Sequence, residues 1–117
     1  MHLQPADWQG IETSVKPVFL DFWADWCAPC KELDADTFAA PEVIDRSREF
    51  VMLKADLTST GDPQVEVLRQ KFQAKGVPTL IFLKPDGEEI ASLRGTGFES
   101  KDIFLDKMNR ALELSAK

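Results

Sequence analysis

The sequence predicts an α/β domain of three layers, α/β/α, around a central mixed four-stranded sheet. Three observations lead there. Val18-Phe19-Leu20-Asp21-Phe22-Trp23 is apolar at nearly every position, as expected of a strand covered on both faces. Strand-like and helix-like segments then alternate along the chain, which puts helices on both sides of a sheet. Finally, Lys84-Pro85-Asp86-Gly87 is a turn between residues 79–83 and 89–94. So short a link makes an antiparallel hairpin and excludes a parallel crossover.

Each element has a local cause. Pro5, Ala6 and Asp7 begin a short helix carrying Trp8 and Ile11, and Lys16-Pro17 separates it from the first strand. Residues 28–38 favour helix, with Leu33 and Phe38 facing inward. Pro41 suits the first position of a second short helix that contains Val43 and Ile44, because its fixed φ is already helical. Phe50-Val51-Met52-Leu53 is the next buried strand. Asp62 as N-cap and Pro63 at the first helical position start a helix with Val65, Leu68 and Phe72 at helical spacing, and Gly76 ends it. Ser100 caps a last helix holding Ile103, Phe104, Met108, Ala111 and Leu112. The expected order is α-β-α-β-α-β-β-α. With no repeat, low-complexity tract or linker, residues 1–117 form a single domain, with 1–14 as an N-terminal extension or helix and 15–115 as the core.

Composition removes several function classes. At 117 residues the chain fits one domain, and 44% hydrophobic with 29% charged residues is ordinary for a globular one. Fourteen Lys and Arg against 20 Asp and Glu give a net charge of −6, which repels phosphate backbones and argues against a nucleic-acid partner. Uninterrupted apolar runs such as residues 80–83 fall far short of the ~20 residues a membrane-spanning helix needs. Two cysteines and one histidine, His2, are too few for a tetrahedral zinc site, so no metal is expected. Histidine-assisted hydrolysis would have to rely on that terminal His2. Residues 1–10 lack a basic n-region and an apolar stretch, compatible with a cytoplasmic protein, a mature form or a piece of a longer one.

Cys27 and Cys30 lie where the first strand meets a helix. Their spacing sets the two sulfurs within one helical turn, close enough to form or break a disulfide. Cys27 falls at the helix N-terminus, where unpaired N–H groups and the macrodipole favour a thiolate, the attacking species. Cys30, one turn inside, is expected to be more buried and to resolve the mixed disulfide that Cys27 makes. A structural disulfide, two idle thiols and an iron–sulfur cluster shared between two chains are the competing uses of this spacing. A redox pair would need no cofactor beyond the Cys27–Cys30 disulfide itself.

The segment from Asp21 to Lys31, with Trp26-Cys27-Ala28-Pro29-Cys30 at its centre, resembles the active-site segment of the thioredoxin superfamily. Gly76-Val77-Pro78-Thr79 resembles its cis-proline loop. Cys30-Lys31-Glu32-Leu33-Asp34, Thr37-Phe38-Ala39-Ala40-Pro41-Glu42-Val43, Ala55-Asp56-Leu57-Thr58 and Thr96-Gly97-Phe98 are similar to the C-terminal domain of the DsbD family of bacterial thiol:disulfide interchange proteins. That resemblance spans about residues 15–108. It implies the thioredoxin fold and a periplasmic protein-disulfide reductase domain. Such a domain takes electrons from the DsbD transmembrane domain and passes them to the DsbD N-terminal domain. Ala28-Pro29 departs from the Val-Ala often found between the cysteines of these domains, and Asp34 stands in place of a longer glutamate.

The supporting residues divide accordingly. Asp21 interrupts an apolar strand six residues before Cys27 and is either a proton acceptor for Cys30 or an exposed strand-end acid. For Asp34, one turn after Cys30, the resemblance implies a charge that holds the Cys27 pKa up; otherwise it is a solvated helix residue. Pro78 is cis by resemblance, which would set the Val77 backbone beside the sulfurs for a partner's extended chain. Trp26 is expected on a docking surface rather than in partial core packing, and Gly97 either gives clearance to a docked chain or is a simple turn glycine. Ala28-Pro29 offers no side-chain donor to stabilise a thiolate, so a reductant near the thioredoxin end of the potential range is expected. Protein disulfides and dithiols are the expected partners of a monomer. The alternatives are a free-standing thioredoxin served by thioredoxin reductase in the cytoplasm, and a non-catalytic interaction module.

Overall fold

The run of residues 18–23, apolar except for Asp21, takes the centre of the sheet, where both of its faces are covered. The computed structural model describes residues 15–58 and 63–116. In order these form β1 (Val18–Trp23), α1 (Ala28–Glu32) continued by a π-helical turn (Leu33–Thr37), α2 (Pro41–Ser47) and β2 (Val51–Asp56). Then come α3 (Pro63–Lys71), β3 (Thr79–Leu83), a 3₁₀ turn (Ala91–Leu93) and α4 (Lys101–Ser115). The sheet order is β2-β1-β3. β2 runs parallel to β1 with Val18 opposite Val51 and Trp23 opposite Asp56; β3 runs antiparallel with Val18 opposite Leu83.

Alternation along β1 feeds two cores. Val18, Leu20 and Phe22 pack with Leu53, Leu68, Phe72 and Ile81 under α3. Phe19 points the other way, into Leu33, Val43, Phe82, Phe104 and Met108 from the π-turn, α2, β3 and α4. The Phe19 ring meets those of Phe104 and Phe82 at centroid distances of 5.0 and 5.1 Å, inside the range favourable for aromatic pairs. Three layers result, as expected.

The expected fourth strand is replaced by something less regular, and the sheet of described residues has three strands. Residues 89–94 touch β3 only through isolated bridges, Leu83 to Glu89 and Leu80 to Gly95. Three steps on β3 face six on the outer chain, and the surplus is taken up by the 3₁₀ turn at 91–93. That bulge buries Ile90 and Leu93, a packing gain that outweighs a continued ladder. The helix expected over 28–38 forms, but its second half widens, with Phe38 N–H donating to the Leu33 carbonyl at 2.8 Å.

Helix α3 stops at Lys71 rather than at Gly76. Gln73 adopts a left-handed φ of 52°. Its N–H donates to the Gln70 carbonyl and that of Ala74 to the Arg69 carbonyl, the paired bonds of a Schellman cap. Arg94 bonds the carbonyls of Phe72 and Gln73, which helps a non-glycine residue hold this conformation. Ser100 caps α4 as expected, accepting from Ile103 N–H. The N-terminal helix expected around Trp8 and the Asp62 N-cap lie outside the described residues.

Candidate active site

Where β1 ends, Cys27 N–H donates to the Ala24 carbonyl at 3.1 Å, turning the chain sharply into α1. Cys27 is the N-cap residue, in extended conformation, and its Sγ accepts from Cys30 N–H at 3.2 Å. Pro29 sits in the first turn, where a missing N–H costs nothing. The two cysteines are joined in a disulfide, with their Cα atoms 5.3 Å apart. Contrary to the sequence expectation, both are equally covered, Cys27 being 4% and Cys30 3% exposed. Ala24, Trp23 and Val77 pack over the linked pair as one cluster. What separates the two thiols is therefore position along the helix, not exposure in the disulfide form. Trp26, by contrast, is 68% exposed.

Asp21 is 3% exposed, and its Oδ1 has no hydrogen-bond partner among the described residues. Burial pushes its carboxyl up to about 7; Lys54 pulls it partly back and the Asp34 charge adds to the rise. The three groups share a cavity of about 140 Å³ walled by Phe19, Phe38 and Met52. Lys54 Nζ bonds Asp34 at 3.0 Å and lies 5.2 Å from the centre of the Trp23 ring. Asp34, one turn beyond Cys30, is thus an ion-paired residue on the wall of the Asp21 cavity. Sequence reasoning missed Lys54. The signal was available in the strand register, since aligning the two apolar runs at Val18 and Val51 places Lys54 directly beside Asp21.

The Val77–Pro78 peptide is cis, as expected. Val77 packs against the disulfide cluster, and Val77 and Pro78 form one wall of an open groove of about 490 Å³ whose other residues include Lys75, Arg94 and Thr96. A side chain at Gly97 would meet nothing within 4 Å, so no packing inside the described residues requires glycine there. Gly95 is the opposite case: the Glu99 carboxylate occupies the space of its missing Cβ. Among the described residues no cluster of His, Cys, Asp and Glu could hold a metal ion, and no helix is long and apolar enough to cross a membrane.

A three-layer α/β/α fold with a Cys-x-x-Cys disulfide at a helix start, a cis-proline loop against it and a buried carboxyl on the adjoining strand defines a thioredoxin-like protein. The chain belongs to the thioredoxin-like domain family, which it matches over residues 6–112. Within that class it is similar to the thiol:disulfide interchange protein DsbD of Vibrio vulnificus, at 41% identity over 95 residues, covering 81% of this chain and 16% of that protein. With DsbD of Campylobacter jejuni the identity is 37% over 100 residues, covering 86% and 17%. The chain thus spans less than a fifth of the length of these curated relatives. Among solved structures, the C-terminal domain of Neisseria meningitidis DsbD in its reduced form superposes with a TM-score of 0.77 at 28% identity, covering 95% of this chain and 99% of that one. A thioredoxin from Thermus thermophilus matches with a TM-score of 0.78 at 19% identity, covering 97% and 87%, which is a likeness of fold alone.

Proposed function

We propose that the chain is a protein-disulfide reductase that relays electrons by dithiol–disulfide exchange through Cys27 and Cys30, as a DsbD C-terminal domain would. The carrying observation is a Cys27–Cys30 disulfide at the start of α1, on an element whose next turn shares a cavity with the buried Asp21. Starting from the dithiol, the Cys27 thiolate attacks one sulfur of a partner disulfide, and the partner's other sulfur leaves as a thiolate. Asp21 accepts the Cys30 proton through water. The Cys30 thiolate then attacks Cys27 Sγ, releasing the partner's second thiolate. Two electrons have moved to the partner, and the chain is left in the disulfide form described above.

A carboxyl near 7 suits this proton step, because both its protonated and ionised forms are populated at neutral pH. Asp34 acts on the same proton indirectly: it anchors Lys54, and its own charge disfavours ionisation of Asp21. The exposed Trp26, the Val77–Pro78 wall and the clearance at Gly97 seat the partner, whose extended backbone pairs at Val77. Resemblance to DsbD supports a periplasmic site of action, and we propose that the chain acts as a monomer. The resemblance also supports electrons arriving from a transmembrane domain and leaving to a DsbD N-terminal domain. No cofactor beyond the disulfide is required.

The test is trapping combined with turnover. Cys30→Ser should accumulate a mixed disulfide through Cys27 with a DsbD N-terminal domain, and the unaltered chain should accelerate insulin reduction by dithiothreitol. Absence of acceleration would identify a non-catalytic module instead. Efficient turnover with thioredoxin reductase and NADPH, without selective trapping, would identify a general thioredoxin.

A further inference from the structure

The segment Ala55-Asp56-Leu57-Thr58 plays no part in the reaction steps above, yet it is bonded to the loop that delivers Cys27. Leu57 N–H donates to the Trp23 carbonyl at 2.7 Å, carrying the β1–β2 pairing one step beyond Trp23 and Asp56. Asp25 N–H then donates to Thr58 Oγ1 at 2.8 Å. Thr58 is in turn fixed from behind, because its own N–H donates to Asp56 Oδ1 at 2.8 Å, closing an Asx turn. Ala24 anchors the start of the turn at residues 24–26 by packing with the disulfide, but the rest of the turn has little else to hold it. Asp25 and Trp26 are exposed, and the Cys27-to-Ala24 bond closes the turn on itself without tying it to the sheet. Among the described residues, the Thr58 hydroxyl is the side-chain hydrogen-bond tether on this turn.

We propose that Thr58 is a positioning residue for the dithiol: its hydroxyl, oriented by Asp56, fixes residues 24–26 and so sets where Trp26 and Cys27 meet a partner. This rests on the reductase function proposed above. Trp26 is exposed and Cys27 is covered, so the partner must engage the turn before sulfur meets sulfur. A turn already ordered by Thr58 spares the partner the cost of ordering it at docking. Loss of the tether therefore weakens productive docking more than it slows the chemistry that follows.

Thr58→Val keeps the shape and removes the donor–acceptor, whereas Thr58→Ser keeps the hydroxyl. The valine variant should raise the KM for insulin about fivefold, the scale of one lost hydrogen bond, with kcat changed less than about twofold. Hydrogen exchange at the Asp25 amide should accelerate in parallel, and the serine variant should restore both. A valine variant with unchanged KM and unchanged Asp25 exchange overturns the proposal. So does a serine variant as impaired as valine, or a loss confined to kcat. If the unaltered chain fails to reduce insulin at all, the reductase function is what falls, and Asp25 exchange still decides whether the tether exists.

Discussion

Asp21 carries an energetic cost that the proposed proton transfer would exploit. Its carboxyl sits at about 7 in the folded chain against an ordinary 3.8, mainly through burial. Between those values the folded state holds a proton that the unfolded state has released. This group's contribution to stability is therefore greatest below about pH 4 and declines as pH rises through 7. The shift corresponds to at most about 4 kcal/mol. Asp21→Asn should flatten the decline, so that urea midpoints at pH 5 and pH 8 converge. The same variant should slow the resolving phase of stopped-flow exchange about tenfold or more and spare the initial attack. A midpoint difference as large as in the unaltered chain, or unchanged resolution, would remove Asp21 from this role. The acid was legible in the sequence because a carboxyl inside an apolar strand is too costly to be incidental. The equal burial of Cys27 and Cys30 was not, since it depends on Trp23 and Val77 converging from distant parts of the chain.

At the level of elements, the long signals were readable and the irregular ones were not. β1, β2, β3, α3 and α4 stand where periodicity and turn residues put them. The edge chain at 89–95 departs because Ile90 and Leu93 read as strand in isolation, while the space they fill is set by the opposite core. The end of α3 departs for a similar reason. Gly76 was the residue suited to a left-handed stop, but Gln73 takes that conformation with Arg94 bonding the adjacent carbonyls. Gln73→Gly should consequently stabilise the fold by about 0.5–1 kcal/mol, since glycine adopts this φ without steric cost. Chemical denaturation would read it, and a loss of stability would show that the Gln73 side chain contributes more than its backbone costs.

For the molecule as a whole, the proposed direction of electron flow rests on what the dithiol lacks. Ala28-Pro29 puts no donor side chain between the sulfurs, and the Asp21–Asp34–Lys54 cavity carries one more negative than positive group when fully ionised. Neither feature favours a stable thiolate, so under the proposed function the reduced form is expected to be a good electron donor. Equilibration with glutathione should give a potential more negative than about −180 mV, toward the ~−270 mV of thioredoxin. A more positive value would reverse the assigned direction. The division of the sheet into two cores has a last consequence, for how the chain tolerates change in length. Asp21 reaches its cavity only because it lies an even number of residues from Phe19 along an extended strand. Inserting or deleting one residue just ahead of it would swing the carboxyl into the opposite apolar core, whereas a shift of two would return it to its own side. Evolution can therefore edit this strand only in pairs without silencing the sulfur chemistry, so parity is inherited along with the residue.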